Sequence, residues 1–105
     1  MSGISTHILD TAAGRPASGV PVHLYRAGEK LNSAVTNQDG RVPDLLPAKV
    51  PLLAGTYRIL FDVGNRWPEG FYPEVSVTFS VKDPLSHYHV PLLISPYGFT
   101  TYRGS

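Results

Sequence analysis

Ten prolines and ten glycines are scattered through 105 residues, and they cut the chain into short apolar runs. Punctuation that dense leaves little room for long helices and favours many short strands. Along a strand, successive side chains point to opposite faces, so the next constraint is the period of the apolar residues. Val75 to Val81 is the clearest run, with Val75, Val77, Phe79 and Val81 on one side and Ser76, Thr78 and Ser80 on the other. Tyr57 to Val63 repeats the pattern through Tyr57, Ile59, Phe61 and Val63, and Val20 to Arg26 through Val20, Val22 and Leu24. Ile4 to Asp10 alternates more weakly, with Ile4, Thr6 and Ile8 set against Ser5, His7 and Leu9. Leu31 to Thr36, His87 to Ser95 and Phe99 to Arg103 complete seven or eight short strands without a convincing amphipathic helix. Strands at this spacing predict an all-β fold, a two-sheet antiparallel β-sandwich.

The connections carry their own information. Thr11 to Gly19 and Gly64 to Pro73 read as loops, and Pro43 to Gly55, with its prolines among leucines, as a packed irregular connection. Asn37-Gln38-Asp39-Gly40 is a strong turn signal that delivers Arg41 directly after the glycine. Pro21 marks a strand start or an edge. Pro91, inside the run His87 to Ser95, predicts a bulge or an edge position there.

A chain of this length is expected to form one domain, residues 1–105, around a single core. Hydrophobic residues make up 42% and charged residues 16%, with a net charge of +1. That balance offers nucleic acid no basic face. Cysteine is absent, so there is neither a disulfide framework nor thiolate chemistry. The opening stretch MSGISTHILD has no basic segment followed by an apolar one, so no signal peptide is expected and the cytoplasm is the expected location. No apolar run is long enough to cross a bilayer.

The polar groups open to chemistry are His7, His23, His87, His89, Arg41 and the chain end. A lone histidine is by default a half-buried structural residue, and His23 has no context that distinguishes it. His87 and His89 lie two apart and share a face of their strand. With a third histidine they form a zinc-like presentation, but no cysteine or nearby carboxylate completes the set. Serine hydrolase chemistry lacks its Gly-x-Ser-x-Gly turn, and Ser105 has no following N–H for an oxyanion hole. Metal-free hydrolysis is the remaining option. An imidazole titrating near neutrality would take a proton from water, and an always-charged guanidinium would hold an anionic or carbonyl oxygen. Spacing alone does not choose among these.

The motifs themselves point further. The ending His87-Tyr88-His89-Val90-Pro91-Leu92-Leu93, through Ser95-Pro96-Tyr97-Gly98 to Tyr102-Arg103-Gly104-Ser105, resembles the 5-hydroxyisourate hydrolases, transthyretin-like enzymes of urate breakdown. The terminal Tyr-Arg-Gly-Ser separates those enzymes from transthyretin. Thr6-His7-Ile8-Leu9-Asp10-Thr11 with Gly14 and Pro16, Asp39-Gly40-Arg41, and Phe71-Tyr72-Pro73-Glu74-Val75 match the family elsewhere, so the resemblance covers nearly the whole chain. It implies a transthyretin-like sandwich assembled as a homotetramer, a dimer of dimers. It also implies hydrolysis of 5-hydroxyisourate to 2-oxo-4-hydroxy-4-carboxy-5-ureidoimidazoline in purine degradation, with no metal or other cofactor. The implied catalytic positions are His7, Arg41, His89 and Ser105. Tyr102, Arg103, Gly104 and His87 are the implied substrate contacts. One of His7 and His89 would activate water, Arg41 would steady developing charge, and His87 would be a neighbour of the base.

The chain departs from the family pattern between Phe61-Asp62 and Phe71, where a short helix is usual. Only Asn65 to Gly70 fills the space after Gly64, and Pro68 and Gly70 disfavour a regular helix. That helix is expected to be a turn or missing. Tyr97, Phe99 and Tyr102 make an aromatic tail that is expected to be packed, against a second chain if not its own. The alternative function is a non-catalytic module of transthyretin type that binds a small ligand. Arg41, His89 and the Tyr-Arg-Gly-Ser ending are the features such a carrier would not need.

Overall fold

In the computed structural model, residues 3–105 are described, and the alternation becomes β1 (Gly3–Asp10), β2 (Arg15–Pro16), β3 (Pro21–Arg26), β4 (Glu29–Val35), β5 (Arg41–Val42), β6 (Gly55–Phe61), β7 (Val75–Val81), β8 (His87–Ser95) and β9 (Gly98–Thr101). Met1 and Ser2, which begin the stretch scanned for a signal peptide, lie outside the described residues. One sheet has the order β2-β1-β8-β9, with β5 also on β1; the other runs β4-β3-β6-β7. The two-sheet sandwich is therefore as expected. Most pairs are antiparallel, but β1 and β8 run parallel, in register from Gly3 opposite His87 to Asp10 opposite Ile94. No helix forms among the described residues, hence none able to cross a membrane.

The core lies between the sheets, where the predicted apolar faces meet. Ile4, Ile8, Leu92 and Ile94 from one sheet face Val22, Leu24, Ile59 and Phe61 from the other, all at most 1% exposed. Removing a ring such as that of Phe61 from a core of this kind costs about 3–5 kcal/mol, through lost transfer free energy and the void left behind. Val77 and Phe79 share the predicted inward face of β7 but are only half-buried, because β7 is the edge of its sheet.

Turn chemistry shifts the strand limits from those read in the sequence. Ala27 and Gly28 both have positive φ, 51° and 81°, the pattern of a tight two-residue hairpin turn. That turn lets β4 begin at Glu29 rather than Leu31. Thr36 leaves the strand because its hydroxyl is used across the loop, donating to the Ala17 carbonyl at 2.8 Å and accepting from Val20 N–H at 2.9 Å. Pro91 produces no bulge, and β8 lies between β1 and β9. Its missing N–H falls where the ladder with β9 lapses after Leu92–Thr101, and pairing resumes at an isolated bridge between His89 and Gly104. The tail therefore detaches from β8 over Tyr102 and Arg103, and β9 ends at Thr101 instead of Arg103.

The segment expected to lose its helix is a pair of turns. Trp67 N–H reaches the Val63 carbonyl at 3.3 Å, and Gly70 N–H reaches the Trp67 carbonyl at 2.8 Å. Arg66 ties the segment to the sandwich by donating to the buried carboxylate of Asp10 at 3.2 Å. Asp10 also accepts from Ala12 and Ala13 N–H, at 3.0 and 2.9 Å, so this carboxylate is well supplied with donors.

Candidate active site

The face of β1 and β8 turned away from the core carries the candidate residues. With Ile4, Thr6 and Ile8 inward on β1, Ser5 and His7 point outward; with Tyr88, Val90 and Leu92 inward on β8, His87 and His89 do the same. Parallel register then sets Ser5 beside His89. Ser5 Oγ lies 2.8 Å from His87 Nε2 and 2.7 Å from His89 Nδ1, so one hydroxyl joins both rings.

Arg41 arrives through the turn that the sequence announced. The Asn37 side-chain oxygen accepts from Asp39 N–H at 2.9 Å and Arg41 N–H at 3.0 Å, closing the loop on itself. Gly40 has φ of 72°, and a Cβ there would lie 2.5 Å from the Ile8 carbonyl oxygen, so the turn can press this closely on β1 only with glycine. Ile8 N–H in turn donates to the Gly40 carbonyl at 2.8 Å. The result is β5, antiparallel to β1 with Arg41 opposite His7.

These elements surround an open cavity of about 400 Å³ lined by Ser5, Thr6, Arg41, Pro43, Asp44, His87, His89 and Ser105. The tail closes one side. Gly104 N–H donates to the His89 carbonyl at 2.8 Å, and a Cβ at Gly104 would sit 2.6 Å from His89 Cδ2. With Nδ1 held by Ser5 and Cδ2 covered by Gly104, His89 Nε2 has no hydrogen-bond partner among the described residues.

Of the residues singled out from the sequence, His87, His89, Arg41 and Ser105 meet at this cavity, and Gly104 packs on its edge. His7 lies further along the same face and does not line it. Tyr102 and Arg103 turn the other way, into a separate cavity of about 320 Å³ between the sheets' edges, with Val77, Phe79 and Tyr88. There the Arg103 guanidinium lies 4.4 Å from the centre of the Tyr88 ring and donates to the His87 carbonyl at 3.2 Å. Within one chain these two do not reach the histidine cavity, because the tail leaves the ladder at Pro91. His23 is remote, in β3, sharing a 2.7 Å hydrogen bond with Ser33. Tyr97, Phe99 and Tyr102, expected to be packed, are 76%, 41% and 55% exposed within the single chain.

Burial, followed by the positive charge of Arg41, pushes the His89 pKa below its ordinary value; His7 and His87 act in the same direction. Burial and Arg41 likewise lower His7, against an opposing pull from Asp39. Both effects disfavour imidazolium, so both rings are kept neutral at neutral pH and can accept a proton. Arg41, a donor-only cation, can hold an oxygen that gains negative charge. Among the described residues, no group of three or more His, Cys, Asp or Glu is arranged to hold a metal ion.

Sequence reasoning missed Ser5, Thr6, Pro43 and Asp44. The alternation of β1 already placed Ser5 on the His7 face, but nothing local announced that β8 would lie beside it. Pro43 and Asp44 sat unremarked at the start of the irregular connection.

A β-sandwich carrying neutral imidazoles and a guanidinium on the outer face of one sheet has the equipment for general-base hydrolysis. The chain matches the HIUase/Transthyretin family over residues 4–104 and belongs to it. It is 44% identical to a 5-hydroxyisourate hydrolase of Halalkalibacterium halodurans, over 100% of both chains. Among solved structures it resembles Klebsiella pneumoniae 5-hydroxyisourate hydrolase, with a TM-score of 0.90, 40% identity and full coverage of both chains. Transthyretin from Sparus aurata superposes with a TM-score of 0.86 over 99% of this chain and 97% of that one, at 28% identity.

Proposed function

We propose that the protein is a hydrolase that opens the six-membered ring of 5-hydroxyisourate at an amide bond. The observation that carries this is the meeting of His89, Arg41 and Ser105 around one cavity of about 400 Å³, large enough for a bicyclic purine-like substrate. The greater likeness to 5-hydroxyisourate hydrolases than to transthyretin supports the same choice over a small-ligand carrier. His89 Nε2 takes a proton from water, and the resulting hydroxide attacks the ring carbonyl carbon. Arg41 holds the oxygen that becomes negative in the tetrahedral intermediate. Collapse breaks the carbon–nitrogen bond, the departing nitrogen recovers the proton from His89, and the product carries a new carboxylate. His7, opposite Arg41, keeps a second neutral imidazole on the same face, and Ser105 and His87 border the substrate.

The same reading includes a homotetramer, a dimer of dimers. Phe71 and Tyr97 are 69% and 76% exposed in the single chain, and large apolar side chains in that state are natural contacts for further copies. Tyr102 and Arg103 would then be available to a neighbouring subunit's substrate or to the subunit contact itself.

The test is to run the reaction in oxygen-18 water and weigh the product. Hydrolysis places one solvent oxygen in the new carboxylate. A product formed in the presence of the protein without that label would refute the water-attack mechanism.

A further inference from the structure

Ser5 was not among the residues its own surroundings singled out, yet its hydroxyl touches both histidines of β8. The arrangement is built into the backbone. Parallel pairing sets Ser5 opposite His89 and Gly3 opposite His87, and a side chain at Gly3 would crowd His87 Nδ1, at 3.3 Å. Ser5 is only 8% exposed, so water offers its hydroxyl little competition.

A hydroxyl has one proton to donate and two lone pairs to accept with, while a neutral imidazole has one N–H and one bare nitrogen. If Ser5 donates to His89 Nδ1, neutral His89 carries its proton on Nε2 and has no lone pair for the cavity. If Ser5 accepts from His89 Nδ1–H instead, Nε2 is bare. The surroundings favour the second arrangement. Arg41, which lines the same cavity, only donates, so an acceptor facing it is better placed than another N–H. His87 is exposed, so it can satisfy its own Nδ1–H with water while its Nε2 accepts from Ser5. The other charged or titratable groups around the pair are His7 on β1 and Asp44 after β5; Arg103 is occupied with Tyr88 and the His87 carbonyl.

We propose that Ser5 is a positioning residue that fixes the tautomer of His89, accepting from His89 Nδ1–H and donating to His87 Nε2, so that His89 Nε2 faces the cavity as a bare base. His87 is then the terminus of the relay, a neighbour of the base with a defined task. This rests on the hydrolase reading of the same cavity, but part of its test does not depend on activity.

The experiment compares the parent protein, Ser5→Ala and Ser5→Thr by nitrogen-15 NMR of the histidine rings and by steady-state kinetics on freshly generated 5-hydroxyisourate. The parent and Ser5→Thr are expected to carry the His89 proton on Nδ1, and Ser5→Ala to move it to Nε2. Ser5→Ala should lose kcat by roughly tenfold to a hundredfold, a part of what a wrong tautomer costs in a hydrolytic site. KM should stay within about twofold, because the tautomer of His89 acts on the chemical step rather than on substrate binding, and Ser5→Thr should restore kcat. A parent with the proton on His89 Nε2 overturns the proposal, as does a Ser5→Ala protein unchanged in either tautomer or kcat. Should Ser5→Ala fail to fold, the tautomer in the parent and the activity of Ser5→Thr decide. A parent inactive toward 5-hydroxyisourate removes the hydrolase reading, whereas an active parent with a null Ser5→Ala effect removes only the relay.

Discussion

Gly104 and His89 are in contact through both backbone and ring: Gly104 N–H donates to the His89 carbonyl at 2.8 Å, and a Cβ at Gly104 would lie 2.6 Å from His89 Cδ2. The tail is thus a template for the ring. Gly104→Ala has to push His89 out of place or lift the tail from Pro91, whose Cγ would be 3.3 Å away. Displacements of about 1 Å at a reacting group can lower rates by about 10². Gly104→Ala is expected to approach that loss with an unfolding midpoint close to the parent's, measured by kinetics and thermal unfolding. Full activity would show that the tail does not set the ring.

The lowered pKa of His89 has a definite consequence. In the unfolded chain the ring titrates near its ordinary value of 6.5, and in the folded protein below it, through burial first and Arg41 second. Between those values the unfolded state binds more protons, so this residue makes stability fall as pH drops through the window. An NMR titration of His89 should give a midpoint below 6.5. Arg41→Gln removes one cause and leaves burial and the two neighbouring histidines, so the midpoint should rise without passing 6.5. An unmoved midpoint would contradict the assigned influence of Arg41.

How far the site was legible depends on whether its determinants were local. Alternation located Ile4, Ile8, Val22, Leu24, Ile59 and Phe61 in the core, and Asn37 to Gly40 announced the turn that presents Arg41. The family motifs named His89 and the tail. What the sequence did not display was the parallel pairing of β1 with β8, a contact between residues more than eighty positions apart, such as Ser5 and His89. Without that register Ser5 is an ordinary strand serine. Tyr102 and Arg103 line a different cavity from the histidines within the single chain for a related reason. Pro91 interrupts the β9 ladder, and the direction the freed tail takes is set by the Tyr88 ring rather than by its own sequence.

Gly40 tests the turn beneath Arg41. With φ at 72° and the Ile8 carbonyl oxygen 2.5 Å from where an alanine Cβ would lie, alanine is strained in both backbone and packing. Gly40→Ala should destabilise by about 1–3 kcal/mol. For a domain of this size that means about 4–24 °C in the unfolding midpoint, at roughly 4–8 °C per kcal/mol. A change within error would show that the turn relaxes freely and does not fix Arg41.

Ser105 borders the cavity, so residues added after it begin at the rim of the site. Such an extension should lower kcat/KM by about tenfold or more, the scale of one lost well-placed contact, while an extension before Met1 should do less. Equal rates for the two extended proteins, measured side by side, would show that the cavity tolerates a covered exit.

The most direct check of the central claim is the ultraviolet decay of freshly generated 5-hydroxyisourate, followed with the parent protein and with His89→Ala. The account predicts strong acceleration by the parent and a loss of about 10²–10⁴ in His89→Ala, the range for removal of a general base. Decay no faster with the parent than in buffer, or a His89→Ala protein indistinguishable from the parent, would contradict it.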